Sequence, residues 1–338
     1  MKAYTYLGVG KAGLVEKPMP EILKAGDAVV RLVKTTICGT DLHIIKGDVP
    51  AVTEGRILGH EGVGIVEEVG SGVTNFKKGD KVLISCVSAC GKCYYCKKGI
   101  YAHCEDEGGW ILGHLIDGTQ AEYVRIPHAD NSLYHIPEGL SDDALVMLSD
   151  ILPTGYEIGV IKGKVQPGCT VAIVGSGRVG LAALLTAQFY SPSKIIMIDL
   201  DDNRLQTALS FGATDVVNSS DADKAVKEVF ELTGGRGADV AIEAVGIPQT
   251  FDLCQKVIAI DGTIANVGVH GKPVSFELDR LWIRNINVTT GLVSTNTTSQ
   301  LLSVVETGKI QPQNLVTHYF KLSEIEEAYN VFRNAVSN

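Results

Sequence analysis

Apolar positions fall into two rhythms along the chain. Between residues 26 and about 87 they form short runs, DAVVRLVKTTIC, GVGIVEEVG and GDKVLISCV, each closed by Gly, Asp or Pro. Runs of this length predict strands and turns of a β-rich domain. Near residue 170 the rhythm changes. TVAIVG is a continuous apolar run, GSGRVGLAALLTAQFY has helical spacing, and KIIMIDL again fits a buried strand. NRLQTALSFGA predicts a helix and DVVN a strand; after one more helix, ADVAIEAVG and GTIANVGV predict two further strands. Alternating short strands and helices imply a parallel sheet covered on both faces. Beyond about residue 294 the alternation stops, and SQLLSVVETGKI and SEIEEAYNVFRNAV both have helical spacing.

Composition narrows the class. A chain of 338 residues is long for one domain and ordinary for two. Its 45% hydrophobic and 20% charged residues describe a globular, enzyme-sized protein and exclude general disorder. A net charge of -9, with no long basic stretch, argues against a nucleic-acid binder. The longest apolar runs are strand-sized or interrupted, which argues against membrane spanning. The N-terminal MKAYTYLGVGKAG lacks the apolar core of a secretory signal, so a cytoplasmic, reducing setting is expected. In that setting clustered cysteines are more often metal sites than disulfides.

Gly175-Ser176-Gly177-Arg178-Val179-Gly180 is a G-x-G-x-x-G motif that follows the strand TVAIVG and opens an apolar helix. That context is what dinucleotide binding requires: two glycines for a tight turn and close approach to pyrophosphate, a third for helix–strand packing, and a helix N-terminus with free N–H groups. Asp199 ends the next strand, nineteen residues after Gly180. A carboxylate there accepts hydrogen bonds from the adenosine ribose hydroxyls and repels a 2′-phosphate, which favours NAD over NADP. The alternative is a βαβ turn without ligand, with Asp199 as a helix cap. Arg178, at the mouth of the loop, either helps hold the pyrophosphate or points to solvent.

Cys90, Cys93, Cys96 and Cys104 follow the spacing C-x2-C-x2-C-x7-C. Four thiolates on a compact loop can close a tetrahedron around Zn²⁺, a structural site with no open position. Disulfides need oxidising conditions, and a thioredoxin-like pair needs one C-x-x-C at a helix start. The spacing also resembles part of a ferredoxin run, but no second set of iron–sulfur signals accompanies it. Chemistry needs a second, open site. Cys38 in ICGTDLH, with His60 and Glu61 in GHEGVG about twenty residues on, offers a thiolate and an imidazole that need one more ligand.

Taken together, ICGTDLH, GHEGVG, the four-cysteine lobe, LSDILPTGY and GSGRVG, in this order, resemble the zinc-dependent medium-chain alcohol dehydrogenases over nearly the whole chain. The stretch GGWILGHLIDGTQAEYVRIPHAD, and an Asp in LSDILPTGY where other members have Cys, resemble the bacterial secondary-alcohol dehydrogenase branch. The resemblance implies an α/β protein: a GroES-like β-rich catalytic domain over 1–153 and 294–338, with a structural zinc lobe at about 88–106, and a Rossmann doubly wound parallel-sheet coenzyme domain over 154–293. It makes Cys38, His60 and Asp150 the catalytic zinc ligands, with Glu61 outside them or an alternative ligand during exchange. Thr40 would contact the substrate oxygen and start a proton relay that His43 carries outward. Thr154 would pack against the nicotinamide, Arg204 would lie near the adenosine ribose, and Asn266, Val267, Gly268 and Leu292 would border the nicotinamide and its carboxamide. Trp110 is either a wall of the substrate pocket or an ordinary buried aromatic.

Three departures stand out. Arg178 sits where Pro or Ala is usual, Gly39 follows the zinc Cys where some animal enzymes carry a phosphate-binding Arg, and the chain ends at RNAVSN before the family's last strand, which implies a shortened C-terminal edge. The implied function is an oxidoreductase with one catalytic and one structural zinc per chain. It would interconvert a small, mostly apolar secondary alcohol with its ketone or aldehyde by hydride transfer with NAD, and assemble as a homo-oligomer, tetramer or dimer, through the coenzyme domains. Polyol, butanediol and threonine dehydrogenases of the same family are the alternatives, and ICGTDLH suits them too. A non-catalytic NAD-binding protein on this scaffold would have lost a zinc ligand or the relay, and Cys38, Thr40, His43, His60 and Asp150 are all present.

Overall fold

The computed structural model describes residues 1–334; Ala335–Asn338, the end of the terminal RNAVSN stretch, lie outside the described residues. The chain divides into two compact units, one made of Met1–Asp150 with the segment from Ser294 onward, the other of Ile151–Val293. Among the described residues no helix is long and apolar enough to cross a membrane.

The first unit is built on an antiparallel five-stranded sheet in the order Tyr123–Ile126, Ala28–Thr35, Gly62–Val69, Lys81–Ile84, Leu133–His135. Its three central strands are the runs predicted from their Val and Ile content. The outer two and the hairpin Lys2–Tyr6 with Ala12–Glu16 were not predicted. These segments alternate weakly or are only three to five residues long, so their pairing comes from neighbours and not from local propensity. Val30, Val66, Val82, Ile84, Val124 and Ile126 fill the core of the sheet. A second core gathers Tyr4, Tyr6, Ile44, Ile45, Leu58 and Tyr329. Tyr329 lies on the helix Ile325–Arg333, so the terminal amphipathic run packs into this unit, its ring stacked on Tyr4 with centroids 4.7 Å apart.

The second unit is a parallel six-stranded sheet in the order Asp215–Asn218, Lys194–Asp199, Thr170–Val174, Ala238–Glu243, Ile258–Asn266, Asn287–Thr290. Numbered along the unit this order is 3-2-1-4-5-6, the doubly wound arrangement, with the reversal beside Thr170–Val174. Two differences from the sequence reading have physical causes. The edge strand Asn287–Thr290 was not predicted, because NVTT is largely exposed and lacks the apolar run of a central strand. The strand expected in GTIANVGV starts earlier, at Ile258, and stops at Asn266; it passes through Asp261 at φ 62° with a register shift against Ala238 and Val240.

Candidate active site

Cys38 caps the helix Gly39–Lys46, and its backbone N–H donates to Asp41 Oδ2 at 2.9 Å. Asp41 is buried; its Oδ1 also accepts from Gly59 N–H at 3.3 Å and its Oδ2 from Gln120 Nε2 at 3.0 Å. One carboxylate therefore joins the loop of Cys38 to the loop that precedes His60. Burial raises the Asp41 pKa, and the His60 charge and these hydrogen bonds offset only part of that rise. Gly59 makes the turn at φ 88°, where an added Cβ would come within 2.6 Å of Gln120 Cγ and 2.9 Å of its backbone N. The next residues, His60 and Glu61, are buried at the start of the strand Gly62–Val69. Ser149 ties the fourth position in place: Gly62 N–H donates to its Oγ at 3.1 Å, and Asp150 follows directly.

The structure brings Cys38, His60, Glu61 and Asp150 together, with one ligand atom from each inside a 4.8 Å cluster. His60 Nε2 lies 3.2 Å and Cys38 Sγ 4.0 Å from Asp150 Oδ2. Donors on a tetrahedral zinc stand about 3.2–3.8 Å from one another; the His60–Asp150 distance falls in that range and the Cys38–Asp150 distance slightly beyond it. The electrostatics agree. Burial lowers the His60 pKa, yet hydrogen bonds and charge from Asp150 and Cys38 outweigh it and leave the imidazole well above its ordinary value. A thiol, an imidazole and a carboxylate gathered this closely are the donor types that zinc takes.

Around this cluster, Thr40 Oγ1 lies 3.7 Å from Cys38 Sγ. His43 is one helical turn further, part-exposed, with Nδ1 2.9 Å from Asp48 Oδ2. Trp110 is half-buried; its ring stands edge-on to His60 at 6.3 Å and stacks on His114 at 4.3 Å. The sequence reading missed three supports, Asp41, Ser149 and Cys86, whose Sγ lies 3.6 Å from the second Asp150 oxygen. Only Asp41 had a local signal, its place three residues after a helix cap.

The lobe cysteines also converge: Cys90, Cys93, Cys96 and Cys104 form a second cluster within 4.8 Å, and all eight cysteines are free thiols. Cys90 and Cys96 sulfurs are 3.9 Å apart, close to the roughly 3.8 Å edge expected of four thiolates on zinc. Backbone N–H groups turn onto the sulfurs, among them Cys93 N to Cys90 Sγ at 3.3 Å and Glu105 N to Cys93 Sγ at 3.5 Å. The Glu105 and Cys96 amides draw the Cys93 thiol down to about 6, whereas burial pushes Cys96 and Cys104 up. Gly108 closes the lobe, since a Cβ there would meet Cys104 Sγ at 2.8 Å.

In the second unit the glycine-rich loop leaves Thr170–Val174 and enters the helix Arg178–Ala187. Gly175 has φ 105°, and a Cβ on Gly180 would lie 1.8 Å from the Gly175 carbonyl oxygen. Nothing lies within 4 Å of a Cβ placed on Gly177, and Ser176 Oγ is buried without a hydrogen-bond partner among the described residues. Open space and an unused hydroxyl at a helix N-terminus fit a pyrophosphate. Asp199 Oδ2 accepts from Ser176 N–H at 2.7 Å and Oδ1 from Asp201 N–H at 3.1 Å. Asp201 caps the next helix through Asn203 and Arg204 N–H groups, so Asp199 does not have that role. Arg178 and Val179 begin the loop's helix, half-buried, and Arg204 is exposed on the following one. Asn266 ends its strand with Val267 and Gly268 just beyond, Thr154 is half-buried on the helix Ile151–Thr154, and Leu292 is exposed.

Residues 24–138 match the family of alcohol dehydrogenase GroES-like domains, and residues 179–307 match the zinc-binding dehydrogenases. An alcohol dehydrogenase of Cupriavidus necator is 37% identical over 99% of this chain and 95% of its own length. The NADP-dependent isopropanol dehydrogenase of Thermoanaerobacter brockii is 31% identical over 99% of this chain and 96% of its own. The solved zinc dependent alcohol dehydrogenase 2 from Streptococcus pneumonia, in its apo form, is 76% identical with a TM-score of 0.96, covering 99% of this chain and 95% of that one. With both family matches in chain order and relatives alike over almost the full length, the chain belongs to the zinc-dependent medium-chain alcohol dehydrogenases, a GroES-like domain joined to a Rossmann domain.

Proposed function

We propose that the chain oxidises a small, mostly apolar secondary alcohol to its ketone, reversibly, with NAD as hydride acceptor. The convergence of Cys38, His60 and Asp150 on one point, with the Thr40 hydroxyl at its edge, carries this reading. Cys38, His60 and Asp150 would hold the catalytic zinc, Glu61 would serve as an alternative ligand during exchange, and Cys90, Cys93, Cys96 and Cys104 would hold the structural zinc. When bound, the metal supplies Lewis acidity toward the substrate oxygen and the nicotinamide supplies the hydride acceptor. Thr40 would accept the alcohol's proton on its hydroxyl oxygen while releasing its own hydroxyl proton outward, and His43 on the same helix face, its ring oriented by Asp48, would take that proton and pass it to water. Trp110 presents an apolar wall beside His60, which favours an alkyl group over a polyol or an amino acid.

For the cofactor, the loop Gly175–Gly180 would take the pyrophosphate, with Arg178 beside it, and Asp199 the adenosine ribose, which supports NAD. The resemblance to an NADP-dependent relative makes this a point to measure. Self-association through the coenzyme unit is supported by the edge strand Asn287–Thr290 and by Trp282 and Ile283, exposed at 67% and 68%.

Initial rates with propan-2-ol, ethanol, threonine and butane-2,3-diol, before and after zinc removal, test the proposal. Zinc-dependent turnover led by propan-2-ol supports it. Preference for threonine or the diol moves the substrate class, and the absence of zinc-dependent turnover on all four refutes the reading.

A further inference from the structure

The strand Ala238–Glu243 ends on a carboxylate that no cofactor or metal role accounts for. Glu243 is fully buried, and its Oε1 accepts from Val245 N–H at 3.0 Å, Gly246 N–H at 2.8 Å and Thr250 Oγ1 at 2.6 Å. Three donors on one oxygen fix the group as an anchor. Its Oε2 faces the segment that follows the next strand. It lies 3.4 Å from His270 Nε2, and a Cβ on Gly268 would approach it to 2.4 Å.

His270 completes the arrangement. Its Nε2 is 2.8 Å from Asn266 Oδ1, and Asn266 Nδ2 in turn donates to the Gly268 carbonyl at 2.9 Å. Val267 and Gly268 N–H groups donate to the Glu243 main-chain oxygen at 2.8 and 3.1 Å. His270 Nδ1 and Glu243 Oε2 are both buried with no hydrogen-bond partner among the described residues, and a ring carrying a hydrogen on Nε2 gives that N–H to Asn266 Oδ1. Phe251 borders the ring edge-on at 6.1 Å. The carboxylate thus sits behind Asn266–Gly268, and the imidazole locks the Asn266 amide in one orientation.

We propose that His270, backed by Glu243, is a positioning residue for the nicotinamide half of the cofactor. This rests on the reading of Asn266, Val267 and Gly268 as the segment that borders the nicotinamide. A segment held in one conformation before binding loses less freedom when the ring docks, so its order is supplied by folding and not drawn from cofactor affinity.

The test compares NADH with ADP-ribose, which lacks the nicotinamide, on the zinc-loaded protein. Dissociation constants are read by fluorescence for wild type, His270→Leu, His270→Gln and Asn266→Ala. Loss of one such hydrogen bond should weaken NADH binding about tenfold in His270→Leu while ADP-ribose stays within about twofold. His270→Gln, whose amide keeps a donor, should recover most of the loss. Equal losses for both ligands would mark general damage to the fold and overturn the proposal. So would an unchanged NADH affinity in His270→Leu when Asn266→Ala weakens it. If Asn266→Ala also leaves NADH binding unchanged, the nicotinamide reading of the segment fails first, and the positioning role fails with it.

Discussion

Asp41 is expected to hold the metal cluster together without touching the metal. It is 1% exposed and accepts from Cys38 N–H, Gly59 N–H and Gln120 Nε2 at 2.9, 3.3 and 3.0 Å. In Asp41→Ala all three donors lose their acceptor inside the protein. A buried donor left unsatisfied costs about 1–3 kcal/mol, and partial collapse of the site recovers some of that, so the loss should be about 3–5 kcal/mol. Asp41→Asn keeps one acceptor oxygen and turns an NH₂ toward a donor. It also removes a charge that burial disfavours, as the raised Asp41 pKa indicates, so its loss should be smaller, about 2 kcal/mol. At about 2–4 °C per kcal/mol for a unit of this size, calorimetry should find Asp41→Ala lower in Tm by about 10 °C and Asp41→Asn by about half as much. Because the two tethered loops carry Cys38 and His60, zinc affinity measured against a chromophoric chelator should fall about 10–100-fold in Asp41→Ala. A Tm within about 2 °C of wild type, with zinc affinity unchanged, would refute the claim that this carboxylate sets the geometry of the cluster.

Three further outcomes are expected. Asp199→Gly removes the carboxylate assigned above to the adenosine ribose, so the ratio of kcat/KM for NAD to that for NADP should fall by at least about tenfold; an unchanged ratio would remove Asp199 from cofactor choice. Cys104→Ser should reduce bound zinc from two per chain to one, measured by atomic absorption, and lower the thermal midpoint while the remaining zinc stays; retention of both ions would count against the four-cysteine site. Gly180→Ala places a Cβ 1.8 Å from the Gly175 carbonyl oxygen, so the helix must move from the loop. NADH binding followed by fluorescence quenching should be lost or weakened by more than about a hundredfold, and wild-type affinity would contradict the packing argument.

The parts legible in the sequence are those whose physics is local. The central strands announce themselves by continuous Val and Ile runs, because a strand buried on both faces needs apolar side chains at every position. The glycine-rich loop is readable because its three glycines fall within six residues, Gly175 turning at φ 105° and Gly180 packing against the Gly175 carbonyl. The lobe is readable because its four thiols lie within fifteen residues of one another. The edge strand Asn287–Thr290 escaped notice because it exposes polar side chains, and the partner that makes it a strand is Ile258–Asn266, not its own composition. Asp150 is 112 residues from Cys38 and carries no spacing signal; only the family resemblance pointed to it.

What the sequence alone determined was therefore the central strands and helices, the glycine-rich loop, the four-cysteine lobe and part of the second donor set, Cys38, His60 and Glu61. What tertiary structure decided was which donors meet. The Ser149 hydroxyl accepts from Gly62 N–H, Asp41 bridges two loops, and Asp150 arrives beside His60 at 3.2 Å. The same holds for His270, four residues from Asn266 in sequence, whose Nε2 comes within 3.4 Å of Glu243 at the end of a different strand. Local pattern is set by the period of one helix or strand, whereas a chemical site depends on long-range closure, and no short stretch of residues encodes that.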